Sequence, residues 1–506
     1  MTDRRYGSPN KYGNGRLYGA SDAPITNDRY QWGVDVAWTG RYSGSNEAVY
    51  MINFQSFRGR RSYLNPNGKG FAPVETGRAR VTLDNSTGRY DGWNTSSALY
   101  PNVEPGKDIR IRIRDLDSGT TYNVFTGIVV DIDTIGYGAD AKVILVCEDY
   151  WYYLRNSIVL YSRITIGYSP PSQGYIDDPV ISIIIVEILN AISWTAGYTL
   201  ETSTDSINVW WSSNNTSAGE MLTDLAQNHF GQFFIAADGQ AKFYDRTSTR
   251  TPVASYTQSQ ILKDIGNAQP FTNRRNSLRI KVHPRVSGPN SVLWTLNEPV
   301  FVAAGDSINI TCVMTYNGFV VPQALYQAYA TTDYTMNTLP NGGGTDLTAF
   351  FTPGASTQID DAISYGDTIN MRLINHGELD GYITFFRWTA TPIYETGTSD
   401  ITYPPLLPPK SSEIFLDSIW HQSYTTARTI ANLMGSQLSN IRQFPVITFD
   451  TRPEALIPDL FDYVDLSIAA LGISDEFQVA GIEIQTTNET CQAFTVRQYL
   501  EPHFTG

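Results

Sequence analysis

Cysteine, histidine and charge are all scarce in this chain, and each scarcity excludes something. Its three cysteines, Cys147, Cys312 and Cys491, stand far apart among 506 residues and form no C-x-x-C pair. That excludes a disulfide framework and a cysteine zinc site, and fits a reducing compartment. Cys147 and Cys491 lie in apolar or alternating runs and are expected in the core. The five histidines (His229, His283, His376, His421, His503) show no metal-ligand spacing. With 36 basic against 50 acidic residues the net charge is −14. That excludes a protein gripping nucleic acid with its whole surface, but not one that nucleic acid slides past. The longest apolar run, Val180 to Trp194, is interrupted by Glu187 and too short to span a bilayer. The first residues lack the apolar segment of a secretory signal, so a soluble protein made in the cytoplasm is expected.

Catalytic signatures are missing too. No H-E-x-x-H, G-x-S-x-G or P-loop pattern occurs. Ser8-Pro9-Asn10-Lys11 matches S-x-x-K only formally, inside a stretch read below as an extended arm. Asp115-Leu116-Asp117-Ser118-Gly119 resembles the start of a calcium loop, but position twelve is Thr126 rather than Glu, so a hairpin turn is the better reading. Asp131 and Asp133 share a strand face without a second catalytic partner. No enzyme, cofactor or metal is expected.

What the chain has in abundance is aromatic and turn chemistry: 40 Gly, 31 Tyr and 10 Trp. With so little charge, that composition points to a mainly β, multi-domain protein with a smaller α/β segment. Residues 1–22 lack periodicity and read as an extended arm, either docked on a neighbour or loose. Residues 23–156 carry repeated strand signals and read as a first barrel-like β domain, closed or nearly so. Residues 157–275 form an α/β middle domain. Asp178-Pro179 opens a helix with an isoleucine face from Ile181 to Ile192, Ser217 and Glu220 make a capping box, and Asp238-Gly239 joins a hairpin. Residues 276–288 are expected as a return strand of a second barrel. Residues 289–409 read as an inserted β-sandwich ending in a Pro-rich linker, and 410–506 as a helix plus the second barrel-like domain. The end of the chain echoes the beginning. Asp462–Ile468, Phe477–Ile484 and Ala493–Val496 follow the pattern of Lys107–Ile113, Val124–Val130 and Lys142–Leu145. Duplication and a chance match between β meanders both explain it.

The most informative stretch runs from Arg78 to Arg114. Ala79, Val81 and Leu83 alternate with polar residues, as do Ile109, Ile111 and Ile113 with Arg110, Arg112 and Arg114. A period of two buries one face and leaves the other to solvent or a partner. Between these strands stand Thr82-Leu83-Asp84-Asn85-Ser86-Thr87-Gly88-Arg89-Tyr90-Asp91 and Asn94-Thr95-Ser96-Ser97-Ala98-Leu99-Tyr100-Pro101-Asn102-Val103-Glu104-Pro105-Gly106. This connection resembles the minor tail proteins of long-tailed bacteriophages, whose pattern is V-x-L-x-N-x-D-G-R-F followed by N-x-x-S-P-Y-Y-x-N-[IVL]-x-P-G. Tyr90 replaces the usual Phe, and Ala98-Leu99 the usual Pro-Tyr. Val124–Gly127, Val146–Asp149 and the hairpin Gly231–Tyr244 continue the resemblance in order, although Ala236 departs from an acidic position. It covers Val74 to Arg279 clearly and Ser423 to Leu500 loosely.

The resemblance implies two barrel-like domains related to phage baseplate hub proteins, with three copies giving a pseudo-sixfold ring. It implies a structural role at the virion tail tip, joining tube to tip and lining the conduit for genome ejection. Implied partners are further copies in a homotrimer, the tail tube, distal-tail and tip or fibre proteins, genomic DNA in passage, and the host surface. It makes the Asn94–Pro105 connection, with Tyr100 and Asn102, an interface loop. Arg110, Arg112 and Arg114 are then expected to face acidic neighbours rather than the lumen. Two other readings compete: a saccharide-binding module using Trp294, Tyr316, Phe319, Tyr326 and Tyr329, and a tail-associated lysin using Asp131 or Asp133.

Overall fold

The computed structural model describes residues 29–502 except 41, 43–45, 62–63, 65–71, 160–161, 165–179, 208, 212–215, 261–263, 269–274, 322, 326–331, 354–361, 365–367, 405–411, 440–442, 488–490 and 492. The expected arm with its S-x-x-K match, the helix start at Asp178-Pro179, Tyr326, Tyr329 and most of the Pro-rich linker lie outside these residues.

Alternating side chains build the largest sheet from the two ends of the chain. The early strands are β1 (Tyr30–Val36), β2 (Met51–Gly59), β3 (Glu75–Asp84), β4 (Asp108–Asp115), β5 (Thr121–Ile135) and β6 (Lys142–Asp149). Their neighbours in space run β1-β4-β5-β6-β3-β2. Ile109, Ile111 and Ile113 are fully buried, as are Val81, Leu83, Val143 and Leu145, so the inward half of each alternation fills one core. Asn46, just before β2, draws the two ends of this unit together. Its Oδ1 accepts from Val34 N (2.8 Å) and its Nδ2 donates to Trp32 O (3.3 Å).

The late strands are β7 (Ala254–Thr257), β8 (Asp264–Ala268), β9 (Phe444–Asp450), β10 (Tyr463–Ile468), β11 (Ile473–Thr486) and β12 (Phe494–Pro502). Hydrogen bonds order them β7-β10-β11-β12-β9-β8. Numbered within each unit, both follow 1-4-5-6-3-2. The stretches that echo each other in sequence, β4, β5 and β6 against β10, β11 and β12, occupy matching places. One pairing departs: β1 runs antiparallel to β4, whereas β7 runs parallel to β10. The units meet where β2 pairs with β11, giving one twelve-stranded sheet and one continuous core.

Two boundaries read from the sequence are corrected here. The strand Ser277–Val282, expected to return to the second barrel, instead pairs with Ser399–Tyr403 and Glu413–Asp417 in a separate three-stranded sheet. The reason is burial. Leu278, Ile280 and Val282 share a core with Ala427, Ile430, Ala431, Met434 and Leu438, the inner face of a helix. That helix, Tyr424–Leu438, therefore belongs with this small sheet rather than with the second unit. Conversely β7 and β8, inside the segment read as the middle domain, are strands of the second unit.

The middle segment holds α1 (Trp151–Asn156), α2 (Ile181–Ala191) and α3 (Ala218–Asn228) around a core of Ile184, Ile185, Ile188, Leu222, Leu225 and Phe243. At the start of α3, Ser217 Oγ accepts from Glu220 N and Glu220 returns a carboxylate to Ser217 N, the capping box legible in the sequence. The region from Arg285 to Glu395 forms a six-stranded and a four-stranded sheet about one core of Leu293, Cys312, Met336, Leu373, Ile383 and Phe386. Among the described residues no helix is long and apolar enough to cross a membrane.

Candidate functional site: the junction between the two units

The junction begins with two glycines. Gly59 lies opposite Gly481 in the β2–β11 ladder, and its φ of +101° is one that side chains resist. A Cβ on Gly59 would stand 2.2 Å from Ala480 O, and one on Gly481 2.8 Å from Arg60 O. The backbones therefore touch, and Arg60 N donates to Ala480 O at 2.8 Å.

Two arginines flank Gly59, and both cross to the second unit. Arg58 Nη1 meets Asp459 Oδ1 at 2.8 Å, and Arg60 Nη2 meets Glu501 Oε2 at 2.6 Å. The Arg60 guanidinium also lies 5.2 Å from the Phe461 ring centre and is almost wholly buried. Burial works to raise the Asp459 carboxyl, yet Arg58, then Lys242 and the N–H groups of Ala237 and Leu460, hold it below its ordinary value. Asp149, buried beside the same arginine with no ion pair among the described residues, is pushed up to about 7 by burial. Pairs this buried fix one arrangement of two surfaces, because losing either partner strands the other.

The Asp238-Gly239 hairpin wedges into this place. Ala237 O accepts from Thr126 Oγ1 of the first unit (2.8 Å), and Ala237 N donates to Asp459 Oδ2 of the second (3.0 Å). Beside it, the 451–462 connection from β9 to β10 lies against β4 and β5. Glu454 pairs with Arg29 at 2.8 Å, and Leu456, Ile457 and Pro458 face Thr121, Tyr122 and Asn123 across a cavity of about 210 Å³.

The residues nominated from the sequence divide into two groups. Arg110 and Arg112 share Asp35 of β1, with Nη2–Oδ2 distances of 3.2 and 2.5 Å, so their acidic partner lies within the chain. Gly33, opposite Arg112 in the ladder, leaves its side chain room. Arg114 is exposed and has no ion-pair partner among the described residues. Tyr100 and Asn102 sit on the 85–106 connection, Tyr100 exposed and Asn102 half-buried. No hydrogen bond joins them to the arginines among the described residues.

That connection is ordered by its own polar groups. Four-residue hydrogen-bonded turns close at Gly88, Asp91, Asn94, Ser97, Tyr100 and Asn102. Asn85 Oδ1 accepts from Tyr90 N, and Asn94 Nδ2 donates to Gly88 O. Its anchor is the fully buried Glu47, which accepts from Arg89, Tyr90 Oη (2.5 Å) and Trp38 Nε1. Trp93 projects from it 91% exposed.

Sequence reasoning missed Arg58, Gly59, Arg60, Asp459 and Glu501. The available signal was Phe57-Arg58-Gly59-Arg60-Arg61, a glycine between basic residues at a strand end. Of the aromatics nominated for a saccharide site, Trp294 lies against Phe386 and Tyr316 against Tyr394. In the stretch that resembles the start of a calcium loop, Asp115 accepts from Asp117 N and Ser118 Oγ in a hairpin turn. Asp131 and Asp133 are both exposed.

A second buried contact lies where α3 ends. His229 Nδ1 meets Asp205 Oδ2 at 2.9 Å, and Arg246 Nη2 meets the other carboxylate oxygen at 2.7 Å. The His421 ring lies 5.4 Å from that of His229, with both its nitrogens buried and without a hydrogen bond among the described residues. Burial, with His229 next, lowers His421 to about 3.

No family model matches this chain, and no curated protein is detectably similar to it. Its structural neighbours include tail proteins of prophages. A tail protein from Neisseria meningitidis MC58 is similar with a TM-score of 0.48 and 9% identity over 94% of this chain and 98% of that one. The 43 kDa tail protein of prophage MuSo2 from Shewanella oneidensis has a TM-score of 0.47 and 10% identity over 94% of this chain and 100% of that one. A prophage tail protein from Listeria monocytogenes EGD-e has a TM-score of 0.36 and 9% identity over 92% and 94%.

Proposed function

We propose that this chain is a structural component of a bacteriophage tail, a hub-like ring at the tip or baseplate that joins the tail tube to the tip. The observation that carries this reading is the repeated strand order. Two six-stranded units of one strand order, joined in one sheet, let three copies present six similar units around an axis. The order of tail-protein motifs between Val74 and Arg279 supports the same reading. The net charge of −14 suits a conduit through which DNA passes without sticking. Arg114, Tyr100 and Asn102, all on the first unit, are proposed contacts to neighbouring proteins. The role is structural rather than catalytic. The test is immunogold labelling of intact virions with antibody to this chain. Label at the tail tip is expected, and label confined to the capsid or absent from virions contradicts the proposal.

A host-surface reading keeps one observation of its own. On the inserted region Phe301 is half-exposed and faces Tyr382 across the ladder, ring centres 5.3 Å apart. Such a pair can stack on a sugar face. Glycan-array binding by the full chain, lost in Phe301→Ala, would favour that role.

A further inference from the structure

Arg58, Arg60, Arg89, Arg110 and Arg112 of the first unit each find a carboxylate inside the chain. Arg61, Arg78 and Arg80 do not, and with Arg497 of the second unit they share one outer face of the twelve-stranded sheet. All four are exposed, and none has an ion-pair partner among the described residues. Their neighbours Ala79, Val81, Val496 and Gln498 are buried, so the alternation of β3 and β12 turns the arginines outward. Register sets them side by side. Arg78 lies opposite Phe57, Phe57 opposite Glu483, and Glu483 opposite Arg497. Three strand spacings therefore separate Arg78 from Arg497, about 14 Å, and Arg80 stands about 7 Å from Arg78 along β3. The Arg61 guanidinium lies over the Phe57 ring, 4.2 Å from its centre.

Two carboxylates stand in the same row, and both are engaged elsewhere. Glu148, opposite Arg78, is held by Arg155 at 2.7 Å, and Glu483 accepts from Tyr499 Oη at 2.9 Å. Half-buried Phe57, Tyr499 and Val146 make an apolar floor between the charges, with the Phe57 and Tyr499 rings 6.1 Å apart. This basic face belongs to a chain whose net charge is −14. A nucleic acid is repelled by that net charge and brings little apolar surface to the floor, and the Phe57 ring that could stack a base already carries Arg61. A protein segment bearing carboxylates and apolar side chains matches both features. Guanidinium groups take carboxylates bidentately, and the apolar ground between them excludes water.

We propose that the arginine face across β3, β2, β11 and β12 docks an acidic segment of a different protein. Arg61, Arg78 and Arg80 come from the first unit and Arg497 from the second. A segment seated on all four therefore spans the β2–β11 pairing and holds the two units together from outside. The ion pairs form at the surface, so binding weakens as salt is added. The inference uses a sheet face rather than a sheet edge and does not rest on the ring reading, so either can fail without the other.

The experiment follows the fluorescence anisotropy of a labelled octaglutamate peptide titrated with the full chain at low salt. Duplex DNA of the same charge is the comparison probe. The parent chain is expected to bind the peptide more tightly than the DNA. Arg78→Glu with Arg80→Glu should weaken peptide binding by about tenfold or more, and Arg497→Glu alone should weaken it too. Arg372→Glu with Arg428→Glu changes the net charge equally at exposed positions off this face and should leave binding within about twofold of the parent. Circular dichroism checks that each variant is folded. Hydrogen exchange gives a second readout, in which amides of 55–59 and 481–485 slow when the peptide binds the parent chain. No peptide binding by the parent, an equal loss in the off-face variant, or tighter binding of the DNA overturns the proposal. Loss in the β3 variant with neither an effect of Arg497→Glu nor slowed exchange overturns the bridging of the two units.

Discussion

Single residues decide how this chain holds its shape, and Glu47 is the clearest case. It is fully buried and satisfied by Arg89, Tyr90 and Trp38. Burial alone would lower the Arg89 guanidinium, but Glu47 raises it, and Tyr90 is raised by burial and then by the same carboxylate. Glu47→Ala strands Arg89 and is expected to cost about 3–5 kcal/mol, read as a shift in the urea midpoint, with Trp93 fluorescence reporting a loosened connection. An unchanged midpoint would show that the connection is anchored elsewhere. His421 sets a pH dependence whose sign follows from its folded value of about 3 against 6.5 unfolded. Its neutral form is the folded one. Its contribution is therefore complete above pH 6.5 and declines as pH falls toward 3, by about 1.4 kcal/mol per pH unit. The surrounding groups are His229, Asp205, Arg246 and His283. Asp205, lowered to about 2, adds its own loss only below its ordinary value of 3.8. Asp149, raised to about 7, gives both chains an opposite slope, so between pH 6.5 and 4 the thermal midpoint of the parent chain should fall relative to that of His421→Leu. Parallel slopes for the two would remove His421 from the account. Neither site was legible beforehand. Glu47 and His421 stand beside no partner in the sequence, and the groups that shift them come from other elements.

Elements were legible where periodicity was strong and long. The isoleucine face of α2, the capping box of α3 and the arginine–isoleucine alternation of β4 follow from spacing alone. Sheet membership was not. β7 and β8 have four and five residues, too short to carry a period, and backbone partners distant in sequence decide where they belong. Likewise Asp35 sits in an evident strand, but only the β1–β4 register sets it against Arg110 and Arg112. The glycine pair at the junction gives an element-scale prediction. Gly59→Ala combines a φ of +101° with a Cβ 2.2 Å from Ala480 O. Backbone strain of about 1–3 kcal/mol adds to overpacking of similar size, so about 3 kcal/mol or more should be lost. Gly106→Ala, at φ +92° with nothing within 4 Å, is the control and should lose only about 1 kcal/mol. Equal losses in urea unfolding would mean that contact across the junction contributes little.

At the scale of the whole molecule, the two ends of the chain form one sheet with the same strand order twice, and everything between them is carried on that frame. A weak sequence echo pointed to this, yet it could not be told from chance until β4–β6 and β10–β12 were found in matching places. On the proposed function, such a pair of units is part of a ring that other copies of the chain complete. Native mass spectrometry of the purified chain in a volatile salt buffer tests that most directly. A dominant species at three times 56.4 kDa, the mass of one chain, is expected. A single species at 56.4 kDa across concentration and salt, or an even-numbered assembly, would contradict the account.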